Sequence, residues 1–472
     1  MSVHPQQVMG TVVRHLVPFL SFCYFLSYLD RVNIGFAALT MNKDLGLSAS
    51  AFGFGASIFF LGYFLFEVPS NLLLEKVGAR IWIARIMISW GILSTALAFV
   101  WNDISFYVMR FVFGLAEAGF FPGIILYLTY WFPAEMRARM TGAFMVAVPA
   151  SVVVGSPLSS WILDAFASAP LGLKGWQWLF IIQGLPTVIT GILVLRWLTD
   201  APEKAEWLEP EERTWLARRM AAERAAKEAV HHFTLKEALT HPRILALSVV
   251  YFGAVIGLYG LGLWLPTIIK SFGASIMETG FLGALPPLAG AVGMVLWTRH
   301  SDATGERKWH MVIPCVIGAI GLIMAGLIQS PTISFFFLIV AGFGIYTSLP
   351  SFWPLPTAML TGSAAAGGIA LINSIGNLGG FVGPYVVGLV KDLTGSFAGG
   401  LYLLAAFILL AAVVVLVVGH DTRLEQIPPE VEPATAAVSG AEFNKPSHCG
   451  CSRSSGGRRN TTTLREKYAE QE

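Results

Sequence analysis

The chain has 472 residues, of which 55% are hydrophobic and 13% charged, with a mean hydropathy of +0.65. A soluble domain carries about 25% charged residues, so this composition excludes a water-facing enzyme of ordinary surface. A net charge of +2 excludes the basic field of a nucleic-acid binder, and four scattered cysteines exclude a disulfide scaffold.

In chain order, apolar stretches fall near 15–37, 52–74, 82–101, 104–129, 140–163, 177–198, 244–269, 279–298, 311–329, 332–357, 367–390 and 398–419. Each approaches the ~20 residues that cross ~30 Å of hydrocarbon as a helix. The first is too long and too charged, with Asp30 and Arg31, for a signal peptide. The runs lack the two-residue alternation of a membrane β-barrel. The expectation is an all-α membrane protein of twelve spans.

Between the spans, residues 199–242 form the longest internal loop, with Glu-to-Arg spacings that predict short surface helices. It divides the chain into a six-helix half over 1–198 and a second over 243–419. Residues 420–472, rich in Pro, Ser, Gly and Thr, read as a disordered cytoplasmic tail. The tail holds His448 and the adjacent thiols Cys449 and Cys451, and with no second cluster nearby no metal site is expected. With both termini in the cytoplasm, 24 lysines and arginines lie on that side, four lie outside, and three (Arg31, Arg85, Arg110) lie within spans. That asymmetry follows the positive-inside pattern.

The halves carry a repeat. Glu75-Lys76-Val77-Gly78-Ala79-Arg80 and Asp302-Ala303-Thr304-Gly305-Glu306-Arg307 both read acid-x-x-Gly-x-basic at an offset of 227. Pro157 and Pro384 keep the same offset. Two unrelated matches at one offset indicate a parallel duplication. In each turn glycine permits a tight reversal, and the charges can reach helix ends or partners across the cytoplasmic mouth. Glu75, Lys76, Gly78, Arg80, Asp302, Gly305 and Arg307 are therefore the gating candidates.

Charges inside spans are costly unless paired or wetted, so Asp30, Arg31, Glu67, Arg85, Arg110 and Glu117 become functional candidates. Asp30 and Arg110 both fall about 10 Å below the outer surface, which makes them expected partners across helices 1 and 4. Glu117 follows Arg110 on the same face near mid-membrane. Arg31 points away from Asp30, leaving a guanidinium expected to be free for a carboxylate. Glu67 and Arg85, nearer helix ends, fit a structural or snorkelling role equally well. Adding 227 to the four central charges reaches only uncharged residues, and the second half offers Tyr259, Tyr346, Trp353, Asn373 and Asn377 instead. One half supplies charge and coupling, the other shape.

The segments Ser27-Tyr28-Leu29-Asp30-Arg31-Val32-Asn33-Ile34-Gly35, Glu67-Val68-Pro69-Ser70-Asn71, the run Arg110 to Gly123 and Trp176-Gln177-Trp178-Leu179-Phe180 resemble the anion:cation symporters of the major facilitator superfamily. The likeness covers about 15–420 and is strongest to tartrate and phthalate transporter-like members, with hexonate and hydroxyphenylacetate carriers more distant. It implies that the carboxylates at Asp30 and Glu117 carry protons, that Arg31 meets the anion, and that Tyr28 and Tyr63 line the cavity. The first gating turn departs from the superfamily, with Asn71 and Glu75 where Gly and Asp are common. The reading is a proton-coupled symporter of a small organic carboxylate in a bacterial inner membrane. It needs no cofactor and works as a monomer; a uniporter or anion exchanger of the same fold is the alternative. No span carries the clustered acid–His or metal-ligand set of a membrane-embedded enzyme.

Overall fold

The structure is a computed structural model that describes residues 4–228, 242–353, 355–356 and 363–418. The tail 420–472 with Cys449 and Cys451, and the end of the 199–242 loop, lie outside the described residues. Every regular element among the described residues is a helix.

The first spans are α1 (Pro5–Leu45), α2 (Ala49–Val77) and α3 (Ala79–Ala96). The next two are each divided: α4 (Asp103–Glu117) with α5 (Phe120–Trp131), and α6 (Ala134–Met145) with α7 (Ala147–Ala165). Then come α8 (Gly175–Trp197) and a polar helix α9 (Pro210–Glu228). The remainder is α10 (Pro242–Ser271), α11 (Ile276–Thr304), α12 (Lys308–Leu327), α13 (Pro331–Phe352), α14 (Ser363–Thr394) and α15 (Ala398–Val418). Among the described residues eleven spans are long and apolar enough to cross a membrane. The polar-spotted α14, with Asn373, Ser374 and Asn377, adds 32 residues, about 48 Å of helix. Leu65, Val68, Leu72, Ile92, Val108, Ile189, Phe281 and Leu296 are exposed, an apolar girdle that only lipid can cover.

Packing follows the order of the spans. In the first six, α2 packs on α4, α3 on α8, and α1 on α7 and α8. In the last six, α11 packs on α13, α12 on α15, and α10 on α14 and α15. The second set repeats the first, position for position. Between the sets, α1 meets α10, α2 meets α14, and α7 meets α11. These three seams enclose the centre of the molecule.

The loop after α8 is anchored rather than loose at its start. Trp207 stacks on His15 at 4.1 Å and on Trp131 at 5.4 Å between ring centroids, and Arg137 on α6 pairs with Glu223 on α9 at 2.8 Å.

Candidate functional site

The central charges have partners other than those the spacing predicts. Asp30 does not pair with Arg110. Its carboxylate accepts from Trp90 Nε1 (2.9 Å), Ser94 Oγ (2.9 Å) and Thr187 Oγ1 (3.0 Å), on α3 and α8. The reason is packing: α1 lies against α7, α8 and α10, whereas α4 lies against α2 and α3. Depth along the membrane fixed only one coordinate, and the angle around the bundle decided the contact.

Arg110 is buried against α2, donating Nη2 to the Ala56 carbonyl at 2.8 Å, with its guanidinium over Phe59 and Phe113. Its Nε and Nη1 have no partner among the described residues. Two aromatic faces and one carbonyl offset part of the desolvation of that charge.

Arg31 is not free either. Its Nε donates to Glu117 Oε1 at 2.7 Å and its Nη1 to Tyr259 Oη at 3.1 Å, while Nη2 is buried without a partner among the described residues. Ser27 Oγ donates to the same Glu117 oxygen at 2.6 Å, and Oε2 has no partner among the described residues. The ion pair is 7% and 0% exposed, so water screens it little. A break in the fourth span places Glu117 at the last residue of α4. Gly119, with φ of +86°, then starts α5, and a Cβ there would collide with Ser70 Oγ. Only glycine fits this turn. Discontinuous helices of this kind bring polar groups to midplane sites in transporters.

Arg31 also lines a cavity of about 60 Å³, room for a few waters. All eight substrate-binding candidates line it: Tyr28, Arg31, Tyr63, Tyr259, Tyr346, Trp353, Asn373 and Asn377. The walls come from α1, α2, α5, α6 and α7 on one side and α10, α11, α13 and α14 on the other, so both sets of spans contribute. Arg31 lies under Tyr63, 5.1 Å from its ring centroid, and Tyr28 faces Tyr259 at 6.1 Å. A second, smaller cavity of about 20 Å³ shares Tyr28, Leu258, Tyr259 and Tyr346 with the first and is otherwise mostly apolar. The three tyrosines form the layer between them.

Several residues escaped the sequence reading. Tyr24 and Tyr251 line the cavity and are 227 apart, so the repeat offset itself pointed to them. Glu67 is not snorkelling: it is 3% exposed and accepts from Asn373 Nδ2 (2.7 Å) and Ser374 Oγ (3.1 Å) on α14. Arg85 stacks on Trp82 at 4.0 Å.

At the gating turns, Gly78 (φ +99°) and Gly305 (φ +66°) make the reversals. Glu75 and Lys76 are exposed, and the partner that matters at Arg80 is Asp200, which accepts the Arg80 backbone N–H at 2.9 Å. Arg307 donates Nη1 to Ser301 Oγ at 2.9 Å. Asp302 lies in α11, and the anion at the start of α12 is Glu306, which accepts from the Trp309 and His310 backbones and from the His310 ring. Burial pushes the Glu306 carboxyl up, but these donors outweigh it and hold it below the usual carboxylate range. Each turn therefore carries a carboxylate at a helix N-terminus, one from the loop after α8 and one local. Among the described residues no cluster of His, Cys, Asp and Glu is suited to a metal.

The family model for the Major Facilitator Superfamily matches residues 20–384. The chain is 55% identical over 414 residues to a protein of Agrobacterium vitis named "Putative tartrate transporter", covering 88% of this chain and 95% of that one. It is 41% identical to a "Quinolone resistance transporter" of Acinetobacter baumannii, covering 88% and 95%. Among solved structures, the partially occluded inward-open xylose transporter XylE from E. coli superposes with a TM-score of 0.69 at 15% identity, covering 85% of this chain and 96% of that one. The relatives are transporters, and the fold is theirs. This chain is a multi-pass membrane protein and belongs to the major facilitator superfamily.

Proposed function

We propose that this protein is a proton-coupled symporter that imports a small organic carboxylate across a bacterial inner membrane by alternating access, as a monomer with both termini in the cytoplasm. The observation that carries the reading is the Arg31–Glu117 pair at the wall of the cavity. Arg31 can offer its fork to one carboxylate at a time at full strength. An incoming substrate carboxylate competes with Glu117 for that guanidinium. Displacement leaves Glu117 a buried charge without its cation, and the proton that loads with the anion neutralises it. Anion and proton thus load together, and loss of either restores the internal pair.

Asp30 and Arg110 lie buried near this pair, Asp30 held by neutral donors and Arg110 by a carbonyl and two aromatic faces. Tyr28, Tyr63, Tyr259, Tyr346, Trp353, Asn373 and Asn377 shape the rest of the site. Residues 1–198 and 243–419 move against each other about the seams of α1 with α10, α2 with α14 and α7 with α11. The acid-x-x-Gly-x-basic turns lie at the cytoplasmic mouth. The name of the Agrobacterium relatives makes tartrate the first substrate to try.

The test is uptake of labelled tartrate and related carboxylates into liposomes under an imposed pH gradient. Wild type should accumulate substrate above equilibrium and lose this with a protonophore. Glu117→Gln should still exchange substrate across the membrane but not concentrate it. Protonophore-insensitive uptake in the wild type would favour a uniporter or exchanger, and concentrative uptake by Glu117→Gln would remove Glu117 as the proton carrier.

A further inference from the structure

Asn373 lines the cavity, and Glu67 stands directly behind it, outside the lining. Both Glu67 oxygens accept: Oε1 from Asn373 Nδ2 at 2.7 Å and Oε2 from Ser374 Oγ at 3.1 Å. With both of its oxygens accepting, Glu67 takes the NH2 end of the asparagine. That fixes the rotation of an amide which would otherwise turn either way. The carbonyl Oδ1 makes no hydrogen bond among the described residues and is left on the cavity side. Asn377, one turn further along α14, also lines the cavity but makes no side-chain hydrogen bond among the described residues, so its amide can turn to suit a donor or an acceptor.

We infer that Glu67 is a positioning residue that locks Asn373 with its carbonyl toward the cavity, so that the site selects carboxylates bearing a hydroxyl group. This rests on the cavity being a carboxylate site. A carbonyl repels a carboxylate, gains nothing from a methylene, and accepts from a substrate O–H. A buried acceptor left unfilled by a substrate lacking that hydroxyl is a penalty, and such polar mismatches discriminate better than size does. Arg31 reads the carboxylate; Asn373, aimed by Glu67, reads the hydroxyl.

The experiment measures inhibition of labelled tartrate uptake by unlabelled tartrate, malate and succinate, which share four carbons and carry two, one and no hydroxyls. Wild type should prefer tartrate over succinate by about tenfold or more, with malate between, as expected for one to two hydrogen bonds. Glu67→Leu removes the acceptor that holds the amide, and the preference should fall about three- to tenfold, mainly through weaker tartrate binding. Glu67→Gln keeps one acceptor oxygen and should keep the preference, a rescue that mere packing would not show. Asn373→Leu should lose it as Glu67→Leu does, and the double variant should lose no more. If Glu67→Leu does not fold, Glu67→Gln and Asn373→Leu still decide the matter. An unchanged preference in Asn373→Leu, or a loss in Glu67→Gln equal to that in Asn373→Leu, overturns the inference. A wild type that takes all three acids equally overturns it too, while leaving the carboxylate reading intact. A wild type inhibited by none of them overturns that reading itself, and this inference with it.

Discussion

Arg31 holds a carboxylate at 2.7 Å with the nitrogen nearest the chain, while the outer fork faces Tyr259 and an unfilled direction. Lysine would keep the charge and lose the fork, so Arg31→Lys should weaken carboxylate binding about 10- to 100-fold, the worth of one or two charge-assisted hydrogen bonds. Isothermal titration with tartrate checks this, and unchanged affinity would mean that the anion is held elsewhere. Asp30 leads to a different expectation. Three donors converge on its two oxygens, and none is a formal charge. In Asp30→Ala all three donors lose their acceptor, and buried donors are left unpaired. The melting temperature should fall, by the equivalent of about 1–3 kcal/mol. Asp30→Ala in a protein as stable as wild type would show that these bonds contribute nothing. The charged positions themselves were legible because a membrane span admits few charges, and each one stands out against its apolar neighbours. Their partners were not. Asp30 and Arg110 share a depth, but no rule of spacing reveals that α1 turns Asp30 toward α3 and α8.

At the level of the helix, the same contrast recurs. The spans announce themselves through length and apolarity, and the polar loop that contains α9 was visible from its Glu-to-Arg spacing. The interruption of the fourth span between Glu117 and Phe120 was not, because a glycine in a membrane helix is common and only its packing against Ser70 shows that it breaks the helix here. The gating turns were found by their repeat, yet their working anions, Asp200 and Glu306, lie outside the residues that define the motif. Glu306 gives the pH-dependent prediction. Its carboxyl is held below its ordinary value of 4.5, so the ionised form stabilises the fold. That contribution is complete above the ordinary value and disappears as the pH falls through the lowered one. Glu306→Ala should therefore lower the melting temperature at neutral pH, by about 1 kcal/mol for a lost helix cap. The gap between variant and wild type should close in acid. A gap that stays constant down to strongly acidic pH would mean that Glu306 acts through packing and not through charge.

Across the whole molecule, α2 and α14 are joined near both ends. Toward one face, Glu67 holds Asn373 and Ser374; toward the other, Asp392 accepts the Ala49 and Ser50 backbone N–H groups at 3.0 and 2.7 Å. Asp392 thus caps the N-terminus of a helix 343 residues away in sequence, a contact that α2 cannot provide for itself beyond Ser48. In the proposed orientation, with both termini in the cytoplasm, the Asp392 contact belongs to the outer face and the Glu67 contact lies deeper, toward the cytoplasm. Alternating access requires that one of these contacts opens while the other holds, so weakening one should shift the population toward the state in which it is open. Asp392→Ala removes a cap worth about 1 kcal/mol, which shifts a two-state balance about fivefold. Ser156 lines the small cavity above the tyrosine layer, and a Ser156→Cys substitution places a thiol there that reports the shift. The background has Cys449 and Cys451 replaced by serine, and the native Cys23 and Cys315 are buried. A membrane-impermeant maleimide should then label the introduced thiol about five times faster when Asp392→Ala is added than in the parent. Equal labelling rates would show that the outer face is closed by other contacts, and that Asp392 caps α2 without taking part in the opening.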